Sequence, residues 1–156
     1  MRARVALSLA AMGAGPAYRL AVRTAVRYVV GRLNAGDHEP LLRMYADDAT
    51  MTFPGRHSWG REYRGKSEIE GFLRRFVGAG LHGEVPDVVV NGPPWNTSVA
   101  VLFNDEAPGE YENRAVIYLK LRWGRIVYEE TYEDTQRVAE WEERVGPAAE
   151  SLVISH

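Results

Sequence analysis

The hydrophobic spacing of this sequence predicts an α+β domain, with helices gathered on one side of a curved, mostly antiparallel sheet. Two observations carry that prediction. Up to residue 80 the apolar residues recur every three or four positions, the period of a helix face; from Leu81 onward they recur every two, the period of a strand. The resulting order is helix, helix, strand, helix, then a run of strands, and helices segregated onto an antiparallel sheet are the layered solution for such an order. The helices would cover the concave face, and the mouth left between helices and sheet would be a pocket.

The elements follow in turn. Residues 1–16 stand apart: Arg2 and Arg4 precede a short apolar run and a Gly-Ala-Gly-Pro stretch. This has the outline of a signal peptide with a short apolar region. A disordered leader, or a start codon placed too early, is the favoured reading, and the expected compartment is the cytoplasm. Residues 17–35 read as a helix, with Val22, Val26, Val29 and Leu33 on one face and Arg19, Arg23 and Arg27 on another. Gly36 ends it, and Asp37 caps a short second helix with Pro40 in its first turn. Residues 49–53 form a strand, broken by Pro54-Gly55. A polar, aromatic loop is expected through Gly65. Ser67 with Glu70 is a capping box for a third helix bearing Ile69, Phe72, Leu73 and Phe76. Strands are expected over 81–90, bent at Pro86, and over 98–104, 111–123 and 125–132. The last two meet at a tight Trp123-Gly124 turn. A helix over 135–145 closes the domain, and residues 146–156 form a flexible tail.

Composition narrows the function. The 156 residues fit one domain, large enough to bury roughly 68–70% of its unfolded surface. There is no cysteine, which excludes disulfides, thiolate metal sites and cysteine nucleophiles. Net charge is −2, which argues against nucleic acid as a partner, and no apolar run is long enough to span a bilayer. Charge is uneven: 13 Lys/Arg stand against 7 Asp/Glu in residues 1–75, and 6 against 14 in residues 76–156. If the two halves pack together, these charges interleave.

Particular residues on this order resemble a known superfamily. Leu33-Asn34-Ala35-Gly36-Asp37, followed by Met44-Tyr45-Ala46-Asp47-Asp48-Ala49-Thr50, is a pairing at a spacing common in nuclear transport factor 2-like proteins. Gly65 before the third helix, Trp123-Gly124-Arg125-Ile126 at the hairpin and Tyr132-Glu133-Asp134-Thr135 after the last strand add to it. Over about residues 17–135 the chain is similar to the SnoaL-like polyketide cyclases and the ketosteroid isomerases. The resemblance implies a cone, in which a curved sheet wraps about three helices and encloses an apolar pocket. It also implies a homodimer through the convex sheet face, which places Tyr118, Tyr128 and Tyr132 outward.

The resemblance implies a site as well, with changed chemistry. Ketosteroid isomerases use an aspartate base, with a tyrosine and a protonated acid holding an oxyanion. At the matching positions this chain has Phe53, Val29 and Ile117. The arginine-x-aspartate motif of limonene-epoxide hydrolases would fall at Arg114-Ala115-Val116, which lacks the aspartate. The cyclase branch uses a carboxylate in the cavity. If the strand register matches, Val127, Glu129, Thr131 and Glu133 point inward, with Glu129 deepest; a one-residue slip puts Glu130 inside instead. A carboxylate in an apolar cavity becomes a useful acid or base near neutral pH.

Glu129 and His57 are thus the candidate catalytic residues. Phe53, Trp59, Tyr63, Trp95, Ile117 and Thr131 are the candidate pocket walls, and Asn96 or Asn113 could donate to a carbonyl oxygen. His38 and His82 show no partners at metal-ligand spacing, so neither a metal nor another cofactor is expected. The expected partner is a small lipophilic molecule. Three readings remain: a cyclase or isomerase acting on a lipophilic, polyketide-like ketone, a non-catalytic binding or carrier protein, and a dimerisation module.

Overall fold

The computed structural model describes residues 2–145, with side chains from Gly15 onward. The expected tail over 146–156 lies outside the described residues. Helix α1 (Arg2–Asn34) starts well before the expected boundary at residue 17, and Pro16 lies inside it. Proline removes one helical N–H bond, and the helix runs through it although Gly13 and Gly15 precede it. The segment read as a leader is therefore continuous in backbone with α1.

The apolar stripe Val22, Val26, Val29 and Leu33 is buried against the sheet, and the arginine stripe is exposed. The helix ends as its glycine demands. Gly36 adopts φ +84°, and the Asp37 N–H reaches back to the Arg32 carbonyl at 2.9 Å. The N-cap of α2 (Glu39–Met44) is His38 rather than the expected Asp37, which lies one residue earlier and accepts from the Glu39 N–H at 3.2 Å. Asn34 acts as a piece of sheet. Its amide donates to the Gly83 carbonyl at 2.8 Å, and its carbonyl accepts the Gly83 N–H at 2.9 Å. This pair of bonds ties the end of α1 to the edge strand β3 (His82–Glu84).

Strand β1 (Tyr45–Phe53) follows directly from α2. The stretch expected to be loop contains a short strand, β2 (Arg61–Arg64), paired antiparallel with β1. Only Tyr63 of its four residues is buried, so no alternation marked it in the sequence. Helix α3 (Gly65–Gly78) begins two residues before the expected Ser67 start, with Arg64 at the N-cap. Glu68 supplies the capping contact, accepting the Arg64 N–H at 3.0 Å. Ile69, Phe72, Leu73 and Phe76 face the core as expected.

The remaining chain is sheet, closed by α4 (Thr135–Val145). The expected strand over 81–90 is two strands, β3 and β4 (Val88–Asn91), separated at Pro86, which has no N–H to pair. Both pair with β5 (Thr97–Ala107), followed by β6 (Tyr111–Arg122) and β7 (Arg125–Glu133). The order across the sheet is β2-β1-β7-β6-β5-β3. β1 runs parallel to β7 and the other pairs are antiparallel, so the sheet is mixed. Trp123 and Gly124 turn the last hairpin with φ of 53° and 77°, the two positive values a tight two-residue turn requires.

One irregularity sets the faces of β7. Leu121 pairs with Ile126 and Lys120 with Tyr128, so Val127 is left opposite no partner. Ile126, not Val127, is the buried residue there. Beyond the bulge the expected parity holds, and the concave face carries the rows Val99–Leu119–Glu129 and Val101–Ile117–Thr131. The convex face carries Ala100–Tyr118–Glu130 and Leu102–Val116–Tyr132. Among the described residues no helix is long and apolar enough to cross a membrane.

The Asn34 clamp is testable by thermal unfolding. Asn34→Ala leaves both Gly83 groups unpaired and should cost about 1–3 kcal/mol, lowering the melting temperature by several degrees. Asn34→Asp keeps the acceptor half and should fall between wild type and alanine.

Candidate functional site

The concave face, α1, α3 and α4 enclose a cavity of about 110 Å³. Its walls are overwhelmingly apolar, with Val29 of α1, Phe76 of α3 and Trp141 of α4 closing three sides against Ile117 of the sheet. A cavity of roughly 150 Å³ can hold benzene, so this space is on the scale of one ring.

Glu129 sits at the deep end. It is buried on β7, with Leu119 beside it on β6 and Met51 beside it on β1. The Tyr45 hydroxyl donates a short hydrogen bond to Glu129 Oε2. Desolvation pushes the carboxyl up to about 7, and the tyrosine bond opposes that rise only in part. The phenol of Tyr45 is itself pushed well up, by burial first and by the neighbouring carboxylate second. Near neutral pH this pair therefore exchanges one proton at the carboxyl while the phenol keeps its own.

A second polar group lies toward the outside, where Asp105, Tyr111 and Glu133 also line the cavity. Tyr111 donates to Asp105 Oδ2 at 3.1 Å, and the Asn113 amide lies 3.2 Å from the Tyr111 oxygen and 3.3 Å from Glu133 Oε2. Burial raises Asp105, and burial with the Asp105 and Asp134 charges pushes Glu133 up to about 8. Asp105 Oδ1 and Glu133 Oε1 are buried without a partner.

The structure assembles part of the site expected from sequence. Glu129, Phe53, Trp59, Ile117 and Thr131 all line the cavity, and Glu130 is on the convex face, bonded to Tyr128 at 2.6 Å. Three residues do not reach it. Tyr63 is buried behind the wall, edge-on to Phe72 at 5.1 Å, with its hydroxyl on the Trp59 carbonyl. Trp95 is 54% exposed and packs on Trp123 at 5.9 Å, because the 93–96 turn carries it onto the hairpin tip. His57 stands behind Phe53, 6.0 Å between rings, and does not line the cavity. Burial, aided by the Arg75 charge, holds its imidazole below the ordinary value, while Glu142 opposes. Asn96 is exposed in that same turn, whereas Asn113 is buried in the outer cluster.

Tyr45, Asp105 and Tyr111 were not singled out in the sequence. Tyr45 stands in the sequence as part of the Met44–Thr50 motif, and Asp105 and Tyr111 flank a hairpin whose register no local signal sets. His38, expected to lack partners, brings a ligand atom within 4.8 Å of ones on Glu39 and Glu70. Glu70 is already held by Arg74 Nε at 2.9 Å, so this surface group is an ion-pair cluster more than a metal cage.

The buried acids predict an unusual pH dependence of stability. Glu129 and Glu133 have raised values when folded, so between about 4.5 and 8 the folded chain binds more protons than the unfolded chain. Stability should therefore fall as pH rises through that window, by on the order of 3 kcal/mol for Glu129. Glu129→Gln should flatten the curve between pH 5 and 7 and be the more stable form at pH 8. Melting curves across pH test this, and a wild-type curve that rises from pH 5 to 8 would refute it.

Comparison with known proteins agrees with this architecture. No curated protein matches the chain. Among solved structures, Bal32a from a soil-derived mobile gene cassette aligns at TM-score 0.64 and 19% identity, over 76% of this chain and 93% of its own. A nuclear transport factor 2-like protein from Burkholderia xenovorans LB400 aligns at 0.57 and 17%, over 75% and 92%. A protein of Kribbella flavida DSM 17836, provisionally described as a ketosteroid isomerase, aligns at 0.59 and 18%, over 72% and 77%. At these identities the likeness is one of fold. Residues 25–129 match the family described as the SnoaL-like domain, two thirds of the chain, and the protein belongs to that family.

Proposed function

We propose that this chain is a small-molecule pocket protein whose Glu129 transfers a proton on an apolar carbonyl ligand, a cyclase- or isomerase-type step. The observation that carries the reading is the buried Glu129–Tyr45 pair at the deep end of an apolar cavity. A base works best when its pKa lies near the working pH, and desolvation brings Glu129 to about 7. In the step, a C–H bond next to the carbonyl breaks, its proton passes to Glu129, and the electron pair moves into an enolate. Thr131, two residues along the same strand face and also on the cavity wall, would donate its hydroxyl to the enolate oxygen. Glu129 then returns the proton to the same carbon or to a conjugated one. His57 does not line the cavity, so the proton transfer is assigned to Glu129. The volume suits one ring, so a larger polyketide-like ligand would require α4 to move outward.

A non-catalytic binding protein is the second reading. It is favoured by the apolar residues at the three positions matching the isomerase groups, Val29, Phe53 and Ile117, all of which line the cavity. Cyclohexanone in D2O separates the two. Catalysis should give deuterium next to the carbonyl, at a rate that rises with pH to a plateau above about 7. Glu129→Gln should lower that rate about 100-fold or more with binding retained. Binding without exchange in the wild type would leave the carrier reading.

We also propose that two copies pair through the convex sheet face. Leu102, Val116 and Tyr132 form one cross-strand row there, each at least 39% exposed. Sedimentation should give a dimer, and Val116→Arg should give a monomer with unchanged far-ultraviolet dichroism. A wild-type monomer at micromolar concentration would remove this reading.

A further inference from the structure

Charge and ring placement in the cavity narrow the ligand beyond an apolar carbonyl compound. Three side chains on the wall can carry charge near neutral pH, Glu129, Glu133 and Asp105, and all three are acids. Among the described residues the wall holds no Lys, Arg or His. A buried carboxylate without a counter-charge is costly, so an interior that gathers three of them is complementary to a cation.

The outer end shows where that cation would sit. Asp105 is 8% exposed, yet its Oδ1 has no partner, and Glu133 Oε1 nearby is also unpartnered. Their other oxygens are tied into the cluster by Tyr111 at 3.1 Å and by Asn113 at 3.3 Å. Asp105 Oδ1 and Glu133 Oε1 are thus two buried acceptor atoms without a partner, on residues that line one end of the apolar space.

Aromatic faces adjoin them. Tyr111 and Trp141 stack at 4.9 Å, and Trp59 follows at 6.4 Å from Trp141. Rings beside carboxylates are the usual cradle of an organic cation. Among the described residues, the chain's own cations do not fill it. Arg137 pairs with Asp134 at 3.5 Å and donates to the Glu112 carbonyl, and Arg114, Arg137 and His82 line a polar groove outside that Asp105 and Asn113 border from the other side without bonding to them. Arg75 lies over Trp59 at 3.9 Å but does not line the cavity.

We propose that the outer end of the cavity binds a protonated amine, held by Asp105 and Glu133 beside the Tyr111 and Trp141 rings. The inference rests on the reading of the cavity as the ligand site, and it deepens it. Glu129 and Glu133 are four residues apart on one strand, a span of about 13 Å. The ligand class is then a small carbonyl compound with a basic nitrogen on a short arm, carbonyl inward and nitrogen outward.

A matched set of probes tests this on the whole chain: phenethylamine, 2-phenylethanol and phenylacetate, which differ mainly in charge. At pH 7 calorimetric titration should show the amine binding at least tenfold tighter than the alcohol, with phenylacetate weakest. Asp105→Asn and Glu133→Gln should each erase most of the amine preference over the alcohol. Far-ultraviolet dichroism and a cooperative melting curve show that each variant is folded. Equal affinity of amine and alcohol in the wild type, or an amine preference that survives both substitutions, overturns the proposal and leaves the carbonyl reading standing. If none of the three probes nor cyclohexanone binds, the cavity is not the ligand site and both readings fall together.

Discussion

The interior of this protein depends on one unpaired residue. Ile126 and Glu129 are three positions apart on β7, yet both face inward, which an unbroken strand forbids. The bulge at Val127 supplies the extra residue. It lets the start of the strand bury Ile126 against Leu121 while the rest turns Glu129, Thr131 and Glu133 to the concave side. Without it, Tyr128, Glu130 and Tyr132 would share the face of Ile126. The cavity would then be lined by phenols and a differently placed acid, and the outer row would lose its tyrosines. The parallel neighbour β1 carries a matching irregularity between Tyr45 and Thr50, and Tyr45 lies beside Ile126 there. The Tyr45–Glu129 bond thus joins two strands that both depart from regular pairing.

The cost of this interior is electrostatic. Three carboxyl groups lie against apolar walls, and among the described residues the side chains that hydrogen-bond to them are Tyr45, Tyr111 and Asn113. An alternative core of leucine and phenylalanine at those positions would avoid burying polar groups at all. Retaining the acids sacrifices stability at neutral and higher pH in exchange for groups whose ionisation changes within the range where proton transfer is useful. The rest of the fold is built conventionally. Val22, Val26, Val29 and Leu33 cover the sheet, α3 packs four large residues beneath β1, and α4 closes the open end with Val138 and Trp141.

Much of the fold was legible because short-range chemistry governs it. The 3.6-residue stripe of α1, the stop at Gly36, the Trp123-Gly124 turn and the amphipathic closing helix are each set within a few residues, and each forms where its local pattern places it. Elements without a local pattern were missed. β2 buries one side chain in four, so nothing periodic announces it. The break at Pro86 bends one apolar run into two strands, which the proline signals but the hydrophobicity does not. The N-terminal boundary at residue 17 was drawn from a glycine and a proline that the helix in fact absorbs.

The sequence by itself determined the fold class, the family and the elements that carry a local pattern, and it narrowed the inward acid of β7 to Glu129 or Glu130; the bulge at Val127 decided for Glu129. Tertiary structure alone decided which groups meet. Tyr45 reaches Glu129 across 84 positions of chain, and Asp105 meets Glu133 through Tyr111 and Asn113. Trp95 and His57, plausible on composition, are carried away by a turn and by the ring of Phe53. Such contacts arise from strand register and helix placement over long separations, and residue spacing encodes neither.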